Sequence, residues 1–296
     1  MEVKPYEWMV KFSPQKEWIM NQGLLLWLAF FFIELGAGTY FVSLFLNSLW
    51  GMVIGFIITT LIGGGLHLLY LGRPSRFWRI LWSTGWRNSW VSRGLIFIVI
   101  FIGVGISHLA LYKFSGPDAA FPLGIVMYVI SFLCIIYGGF AMSYVNAIPL
   151  WNTPLLPVLY VVSGLWGGAG LAMGVALGTS DSVMMAIVET WVRILLISFL
   201  FLVIVYLWTM TYGMPAGKQS VSVILRAPLA PLFYVGVLWI GIFVPLMVVI
   251  YAFAVGIETV PSYLLVMAIL FELVGDLCIR YCILKGGLYA PLIPSS

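Results

Sequence analysis

The fold class of this protein is indicated by the apolar segment Leu95-Ile-Phe-Ile-Val-Ile-Phe-Ile-Gly-Val-Gly-Ile106. No Asp, Glu, Lys or Arg occurs between Arg93 and Lys113. An apolar run of about 20 residues is the length that an α-helix needs to cross a bilayer. A transmembrane β-strand would instead be shorter and would alternate polar and apolar side chains. The stretch therefore predicts a membrane-spanning helix.

The rest of the chain has the same character. Of its 296 residues, 63% are hydrophobic and 8% are charged, whereas a soluble globular domain carries about 25% charged residues. We therefore predict an all-α integral membrane protein whose transmembrane helices form two four-helix bundles. Apolar runs between polar breaks predict eight spans, at about 21–47, 52–71, 91–112, 121–143, 155–178, 184–211, 229–254 and 260–284.

The spans leave little of the sequence outside the membrane. We expect a single polytopic membrane domain over 1–296, with an interfacial N-terminal segment at 1–20, the helical bundle at 21–284 and a C-terminal tail at 285–296. The mixed charges of the first segment are not those of a cleavable signal peptide. No catalytic residue is predicted in this protein, because any catalytic centre in water is expected in another subunit.

Lysine and arginine residues are distributed unevenly between the two ends of the spans. Most of them fall where both termini and the loops at 72–90 and 212–228 lie, and we call this end the basic face. Lys113 lies at the opposite face. The positive-inside rule then predicts that both termini are cytoplasmic, in the cell membrane of a prokaryote.

A few ionisable side chains fall within the spans, where such groups are costly and are usually functional. Those on the sixth and eighth spans repeat at i, i+4, so each set shares one helix face. They are a candidate proton pathway, and a ladder of structural ion pairs explains them equally well. The residues are Glu189 and Arg193 on the sixth span, and Glu272, Asp276 and Arg280 on the eighth.

The two histidines fall near opposite ends of successive antiparallel spans. His67 and His108 should differ in depth by roughly 18 Å, whereas a bis-histidine haem needs both at a similar depth. No haem is therefore expected. His67, near the basic face, can donate to a quinone carbonyl and pass a proton, whereas His108 is interpreted as a structural residue. The three cysteines form no CxxC pair, so neither a metal site nor an iron–sulfur cluster is predicted in this protein.

Several segments, taken in order, resemble a known family. The set resembles the membrane subunit of polysulfide reductase and its NrfD-like relatives over nearly the whole sequence. The segments are His67-Leu-Leu-Tyr-Leu-Gly-Arg-Pro-Ser-Arg-Phe-Trp-Arg79, Ser89-Trp-Val-Ser-Arg-Gly94, Tyr137-Gly-Gly-Phe140, Trp151-Asn-Thr-Pro-Leu-Leu-Pro157 and the ending Glu272…Arg280-Tyr281…Lys285-Gly-Gly-Leu-Tyr289.

The resemblance implies a membrane anchor of a molybdenum or tungsten oxidoreductase complex. An iron–sulfur subunit of such a complex docks on the anchor and exchanges electrons with a quinone, here expected to be menaquinone. The resemblance makes His67 and Tyr137 the candidate quinone-binding residues, with Glu34 a weaker candidate. No nucleic-acid partner is expected, and dimerisation of the complex is left open.

The 72–90 loop carries four of the arginines at the basic face. In many members of the family the partner subunits are exported, so the resemblance implies that this loop faces outward, whereas the charge count places it inside. Its arginines can bind an acidic partner surface, which would explain their number without reference to membrane orientation. These candidate docking residues are Arg73, Arg76, Arg79 and Arg87. The sequence also departs from the family pattern, because the start of the first span has no histidine where some members place a quinone ligand. Asn21 and Gln22 are the nearest polar residues there.

Two other functions remain open at this stage. A secondary transporter of a small ion or solute would account for glycine-rich helices and for charges within the membrane. Against it, Gly63–Gly65 and Gly164–Gly170 fall near the interfaces, and no matching pair of broken helices is evident in the two halves. A purely structural anchor without a quinone site is the third interpretation.

Overall fold

Eight membrane-spanning helices make up most of the protein. The computed structural model describes residues 7–16, 18–20, 23–71, 73–79, 84–87, 89–226 and 228–293. The predicted number of spans is confirmed, and no predicted boundary is wrong by more than four residues. The first to eighth spans are Gly23–Phe45, Leu49–Tyr70, Trp90–Ser115, Pro117–Ser143, Leu155–Thr179, Ser182–Tyr212, Leu232–Val255 and Ser262–Gly286.

The segments on either side of the bundle meet at the basic face. Strand β1 (Ser13–Pro14) pairs antiparallel with β2 (Leu288–Tyr289), so the N-terminal segment and the C-terminal tail lie together. The Gln15 side chain donates to the Leu284 carbonyl at 2.8 Å, and this buried hydrogen bond fixes the segment to the end of the eighth span. Two short α-helices, Glu7–Val10 and Pro215–Leu225, also lie at this face.

The spans form two groups of four, as predicted. The first four pack on one another through the pairs one–two, three–four and one–four. In the second group, the fifth span packs on the sixth and eighth, and the seventh packs on the eighth. The fifth span also packs against the first and fourth spans, and it therefore joins the two bundles.

Glycines bring the first and fifth spans into backbone contact at this junction. A Cβ atom on Gly38 would meet the carbonyl oxygen of Gly164, and one on Gly168 would meet the backbone of Gly38. Only a residue without a side chain fits at such a crossing, which is the usual role of small residues between helices in lipid. The glycines of the fifth span therefore serve packing at this crossing.

The second and seventh spans each contain a wide, π-helical stretch. These stretches are Ile58–Gly64, which leads into the last glycine of the run of three, and Leu232–Phe243. The π-helical hydrogen bonding was not predicted for either span. The spans are nevertheless not broken, because each stretch continues directly into an α-helix, Gly65–Tyr70 or Val244–Val255.

Candidate functional site

The two residues predicted to contact a quinone lie side by side. The last segment of the second span carries His67, and the fourth span carries Tyr137. The phenol oxygen of Tyr137 lies 3.3 Å from Nδ1 of His67. Both side chains are buried, at 0% exposure for His67 and 1% for Tyr137. Residues 70 positions apart in the sequence thus form one polar pair near the basic face.

The ring of Tyr137 is fixed by its neighbours in the first and third spans. Phe30 meets it edge-on, with ring centroids 5.3 Å apart. A Cβ atom on Gly94 would collide with Tyr137 ring carbons, so this position has room for glycine alone. The phenol is therefore held in place before any ligand arrives.

The second ring nitrogen of His67 has no hydrogen-bond partner among the described residues, although it is buried. The phenol hydrogen of Tyr137 needs an acceptor, and Nδ1 of His67 is the one within reach. Nε2 of a neutral imidazole then carries the hydrogen. A buried donor left unpaired costs about 1–3 kcal/mol. The pair therefore offers one N–H group to a ligand with a hydrogen-bond acceptor.

The predicted docking arginines lie exposed in the loop that follows His67. Arg73, Arg76, Arg79 and Arg87 all face outward. The guanidinium groups of the last two lie 5.6 and 5.5 Å from the ring centres of Trp78 and Trp86, their neighbours in sequence. No carboxylate of the described residues pairs with any of the four. Their charge is therefore available to a partner.

The Glu34 carboxylate belongs to a different cluster, where the two bundles meet. Oε1 of Glu34 accepts from Ser163 Oγ at 2.7 Å and from Nη2 of Arg280. Nη2 of Arg280 also donates to Ser163 Oγ at 2.6 Å, and Nε lies 3.0 Å from both carboxylate oxygens of Asp276. One buried guanidinium of the eighth span thus binds two carboxylates from the two bundles.

This cluster is adjacent to the His67–Tyr137 pair but separate from it. The Arg280 guanidinium lies over the ring of Tyr160, 4.2 Å from its centre. Phe30, which contacts Tyr137, is one helical turn before Glu34 on the first span, a rise of about 6 Å. Oε2 of Glu34 and Nη1 of Arg280 are buried without a hydrogen-bond partner among the described residues. The cluster can therefore accept further polar contacts.

Two of the remaining members of the predicted proton pathway, Glu189 and Glu272, line one small cavity. Glu189 pairs with Arg193 at 3.1 Å, as the i, i+4 spacing indicates. Glu272 is buried, and its Oε1 has no partner among the described residues. Glu189 and Glu272 both line a cavity of about 30 Å³ between the fifth to eighth spans. A cavity of this size is large enough for one water molecule.

Sequence reasoning missed several residues of these clusters. Ser163 and Tyr160 bind Arg280 from the fifth span, and no spacing or motif indicated this partnership. His108, interpreted as structural, is 2% exposed, and its Nδ1 lies 2.8 Å from the phenol oxygen of Tyr40. Asn21 and Gln22 fall outside the described residues. In the described part of the protein, no group of three or more His, Cys, Asp or Glu could hold a metal ion.

Comparison with known proteins assigns the sequence to a family. The polysulphide reductase, NrfD family matches residues 13–291. The sequence is 28% identical over 269 residues to the C chain of polysulfide reductase from Wolinella succinogenes, covering 81% of this protein and 84% of that one. It is 26% identical over 266 residues to the protein NrfD homolog of Haemophilus influenzae, covering 80% and 81%. The protein is therefore a multi-pass membrane protein that belongs to the polysulphide reductase NrfD family.

Proposed function

We propose that this protein is the quinone-reactive membrane subunit of a respiratory oxidoreductase complex. Its partners are an iron–sulfur subunit and a catalytic subunit with molybdenum or tungsten, and the quinone is menaquinone. The complex lies in the cytoplasmic membrane of a prokaryote. The family supports a membrane subunit of a redox complex, and one related protein is named as part of polysulfide reductase. The quinone assignment rests on the site itself.

The observation that carries the proposal is the unpartnered Nε2 of His67. This buried donor lies next to a phenol, near the basic face and close in sequence to exposed arginines. A quinone carbonyl is an acceptor that satisfies Nε2–H without bringing a charge into the membrane. A bound quinone supplies a couple in which electrons and protons are taken up or released together.

The roles of the two side chains follow from their hydrogen bonding. His67 holds the carbonyl through Nε2–H. A proton that passes from Nε2 to the reduced ring must be matched by one that reaches Nδ1, and the Tyr137 phenol, itself reprotonated afterwards, is the group placed to supply it. Tyr137 fixes the tautomer and the direction of the imidazole. Burial of both rings excludes water from the proton at Nε2.

The partner subunits dock on the basic face in this proposal. The four exposed arginines, Arg73, Arg76, Arg79 and Arg87, suit an acidic partner surface and follow His67 in sequence. Arg93 stabilises the same loop, because Nε donates to the Trp86 carbonyl at 2.9 Å and Nη2 donates to the Arg87 carbonyl. An iron–sulfur cluster held by the partner would then face the His67 end of the second span.

We also propose that protons of this reaction use the charged residues of the two bundles. Glu34 and Asp276 share one cation, Arg280, so the cluster can hold one exchangeable proton and remain neutral. Glu272 is one turn from Asp276 on the eighth span and lines the cavity shared with Glu189. The cluster around Arg280 and the cavity lined by Glu272 and Glu189 together extend from near the His67–Tyr137 pair toward the opposite face.

The transporter interpretation is less well supported by the same geometry. Where the fifth to eighth spans meet, the cavity between Glu189 and Glu272 is about 30 Å³, which is too small for a solute larger than water. At the bundle junction, Arg280 and its partners fill the space between the spans. Proton movement fits this interior, whereas solute passage does not.

Quinol activity of a Tyr137→Phe variant tests the proposal. The change removes the phenol oxygen and keeps the ring that packs on Phe30 and Gly94. We expect the purified complex to show a KM for quinol raised about tenfold, equivalent to about 1.4 kcal/mol. Activity with a soluble redox dye should not change.

Tyr206→Phe is the matched control, because this buried phenol donates to the Leu150 carbonyl and takes no part in the His67 pair. The control should leave the KM for quinol unchanged. Equal quinol kinetics for Tyr137→Phe, Tyr206→Phe and the unmodified complex would contradict the proposed quinone site.

A further inference from the structure

A second histidine–tyrosine pair lies at the opposite face of the first bundle. His108, near the end of the third span, has its Nδ1 2.8 Å from the phenol oxygen of Tyr40 on the first span. Tyr40 is fully buried and its hydrogen has no other acceptor among the described residues, so it donates to Nδ1. As in the pair His67–Tyr137, Nε2 is then left as the N–H donor.

Nδ1 of His108 is bound by Tyr40, whereas Nε2 lies on the side of the ring that faces Gly124 and the cavity. It would lie 3.4 Å from a Cβ atom on Gly124, across the gap between the third and fourth spans. His108 and Gly124 both line a cavity of about 390 Å³, within the range of about 300–1,000 Å³ that is usual for small-molecule sites. Among the residues that the structure describes, no hydrogen-bond partner reaches this nitrogen.

The walls of the cavity are aromatic and carry little charge. Tyr112, Phe121 and Tyr128 line it, and Asp118 is the single ionised group among its described lining residues. An anionic lipid phosphate is disfavoured by the carboxylate and by the lack of a cation in that lining. A flat, uncharged ring that accepts one hydrogen bond from Nε2 matches the walls, since aromatic side chains stack on such rings.

The cavity lies at the ends of the first four spans, where Asn47 from a connecting turn and Pro117 and Asp118 from the start of the fourth span line it together with aromatic side chains. Phe101, seven residues before His108 on the third span, packs on Tyr40 and on Phe56, with ring centroids 5.3 and 5.9 Å apart. Phe45 lines this cavity and also the neighbouring apolar groove between the first, fifth and sixth spans, of about 290 Å³. An apolar tail attached to a ring in the cavity can therefore lie in that groove.

We propose that this cavity is a second quinone-binding site, at the face opposite His67. Nε2 of His108 donates to a ring carbonyl, Tyr112 and Tyr128 flank the ring, and the isoprenoid tail passes Phe45 into the apolar groove. The ligand class rests on the proposed function, but the site is separate from the His67–Tyr137 pair. Phe45, which lines both the cavity and the groove, is the point at which ring and tail would meet.

Photolabelling of the purified complex in lipid nanodiscs tests this site. The probe is an azido-naphthoquinone with an isoprenoid tail, and labelled peptides are mapped by mass spectrometry. We expect label on residues 112–128 as well as near His67. Gly124→Leu places a side chain in front of Nε2 and should reduce the 112–128 label at least tenfold. His108→Leu, which removes the donor, should reduce it in the same way.

The control for Gly124→Leu is Gly103→Leu on the third span, where a Cβ atom meets nothing within 4 Å. The control should retain both labels. Label near His67 alone, or a 112–128 label that survives both pocket variants, overturns the second site and leaves the proposed function intact. Label on 112–128 alone supports the second site and overturns the His67 assignment. Absence of label from both regions overturns both.

Discussion

Four of the proposed functional residues each have a buried polar atom without a hydrogen-bond partner among the described residues. His67 Nε2, Glu34 Oε2, Arg280 Nη1 and Glu272 Oε1 are all buried and unpartnered among the described residues. Polar atoms in that condition are uncommon because each costs free energy. In a protein surrounded by lipid, the cost is accepted where a ligand, a water molecule or a proton is bound.

Arg280 shows how a charge is kept within the membrane. Two carboxylates, a serine hydroxyl and the Tyr160 ring surround it. Its i, i+4 neighbour Asp276 could be predicted from spacing. The contacts with Glu34 and Ser163 could not, because they depend on the rotation of three helices about their axes, which hydropathy does not fix. The pairing of His67 with Tyr137 was likewise beyond spacing rules, and it was suggested only by the family resemblance.

Glu272→Gln tests the proton pathway by replacing a single carboxyl group with an amide. The amide keeps the shape that packs on Gly170 but cannot carry an exchangeable carboxyl proton. We expect proton movement coupled to turnover to be lost, with less than about a twofold change in dye-linked activity. The measurement is pH-sensitive dye fluorescence in proteoliposomes during quinol turnover.

Glu258→Gln is the matched control for this prediction, since Glu258 is exposed in the loop before the eighth span. It should leave coupled proton movement unchanged. Full coupling in Glu272→Gln would remove this residue from the pathway.

At the scale of elements, the length and position of the spans follow from the sequence. Each span must cover the apolar thickness of the bilayer, so counting apolar residues between polar breaks recovers its ends. The π-helical stretches Ile58–Gly64 and Leu232–Phe243 were not predicted as such. They depend on how a helix packs against its neighbour: Gly63 lies against Ile33 of the first span, and Gly241 lies against Gly275 of the eighth.

Gly168→Ala tests the crossing of the first and fifth spans. The added methyl group would meet the backbone of Gly38, which cannot move aside as a flexible side chain can. We expect a loss of at least about 1–3 kcal/mol, the usual cost of overpacking, seen as a lower Tm of the purified protein in detergent.

Gly178→Ala is the control on the same span, where a Cβ atom meets nothing within 4 Å. It should leave the Tm unchanged or slightly higher, because alanine is the better helix former. Equal Tm values for the two variants would show that the close crossing does not limit stability.

At the scale of the whole molecule, the two faces of the bundle carry different charged groups and binding sites. The basic face carries the paired N-terminal and C-terminal segments, the exposed arginines and the His67–Tyr137 pair. The opposite face carries the His108 cavity and few charges. Charge counting and the positive-inside rule predict that the basic face is cytoplasmic, whereas the family resemblance implies that the 72–90 loop faces outward. With either orientation, the proposed docking places the partners at the basic face.

Reversing two charges of the 72–90 loop tests the docking face. The double variant Arg76→Glu/Arg79→Glu places acids where an acidic partner surface is proposed to bind, so the charges repel. We expect recovery of the partner subunits with the tagged protein to fall at least tenfold, measured by quantitative mass spectrometry after mild detergent extraction.

Lys113→Glu at the opposite face is the control for this variant, and its recovery of partners should equal that of the unmodified protein. If both variants lost partners equally, a general effect on membrane insertion would explain the result. If the double variant retained its partners, the docking face would lie elsewhere.

Purification of the tagged protein from native membranes in mild detergent tests whether it binds quinone within a metal-containing complex. Metal and quinone are measured in whatever is retained with it. We expect an iron–sulfur protein, a molybdenum or tungsten subunit and bound quinone. We also expect that replacing His67 by leucine lowers the quinone content without releasing the partners. Recovery of a homo-oligomer without metal or quinone would contradict the proposed function.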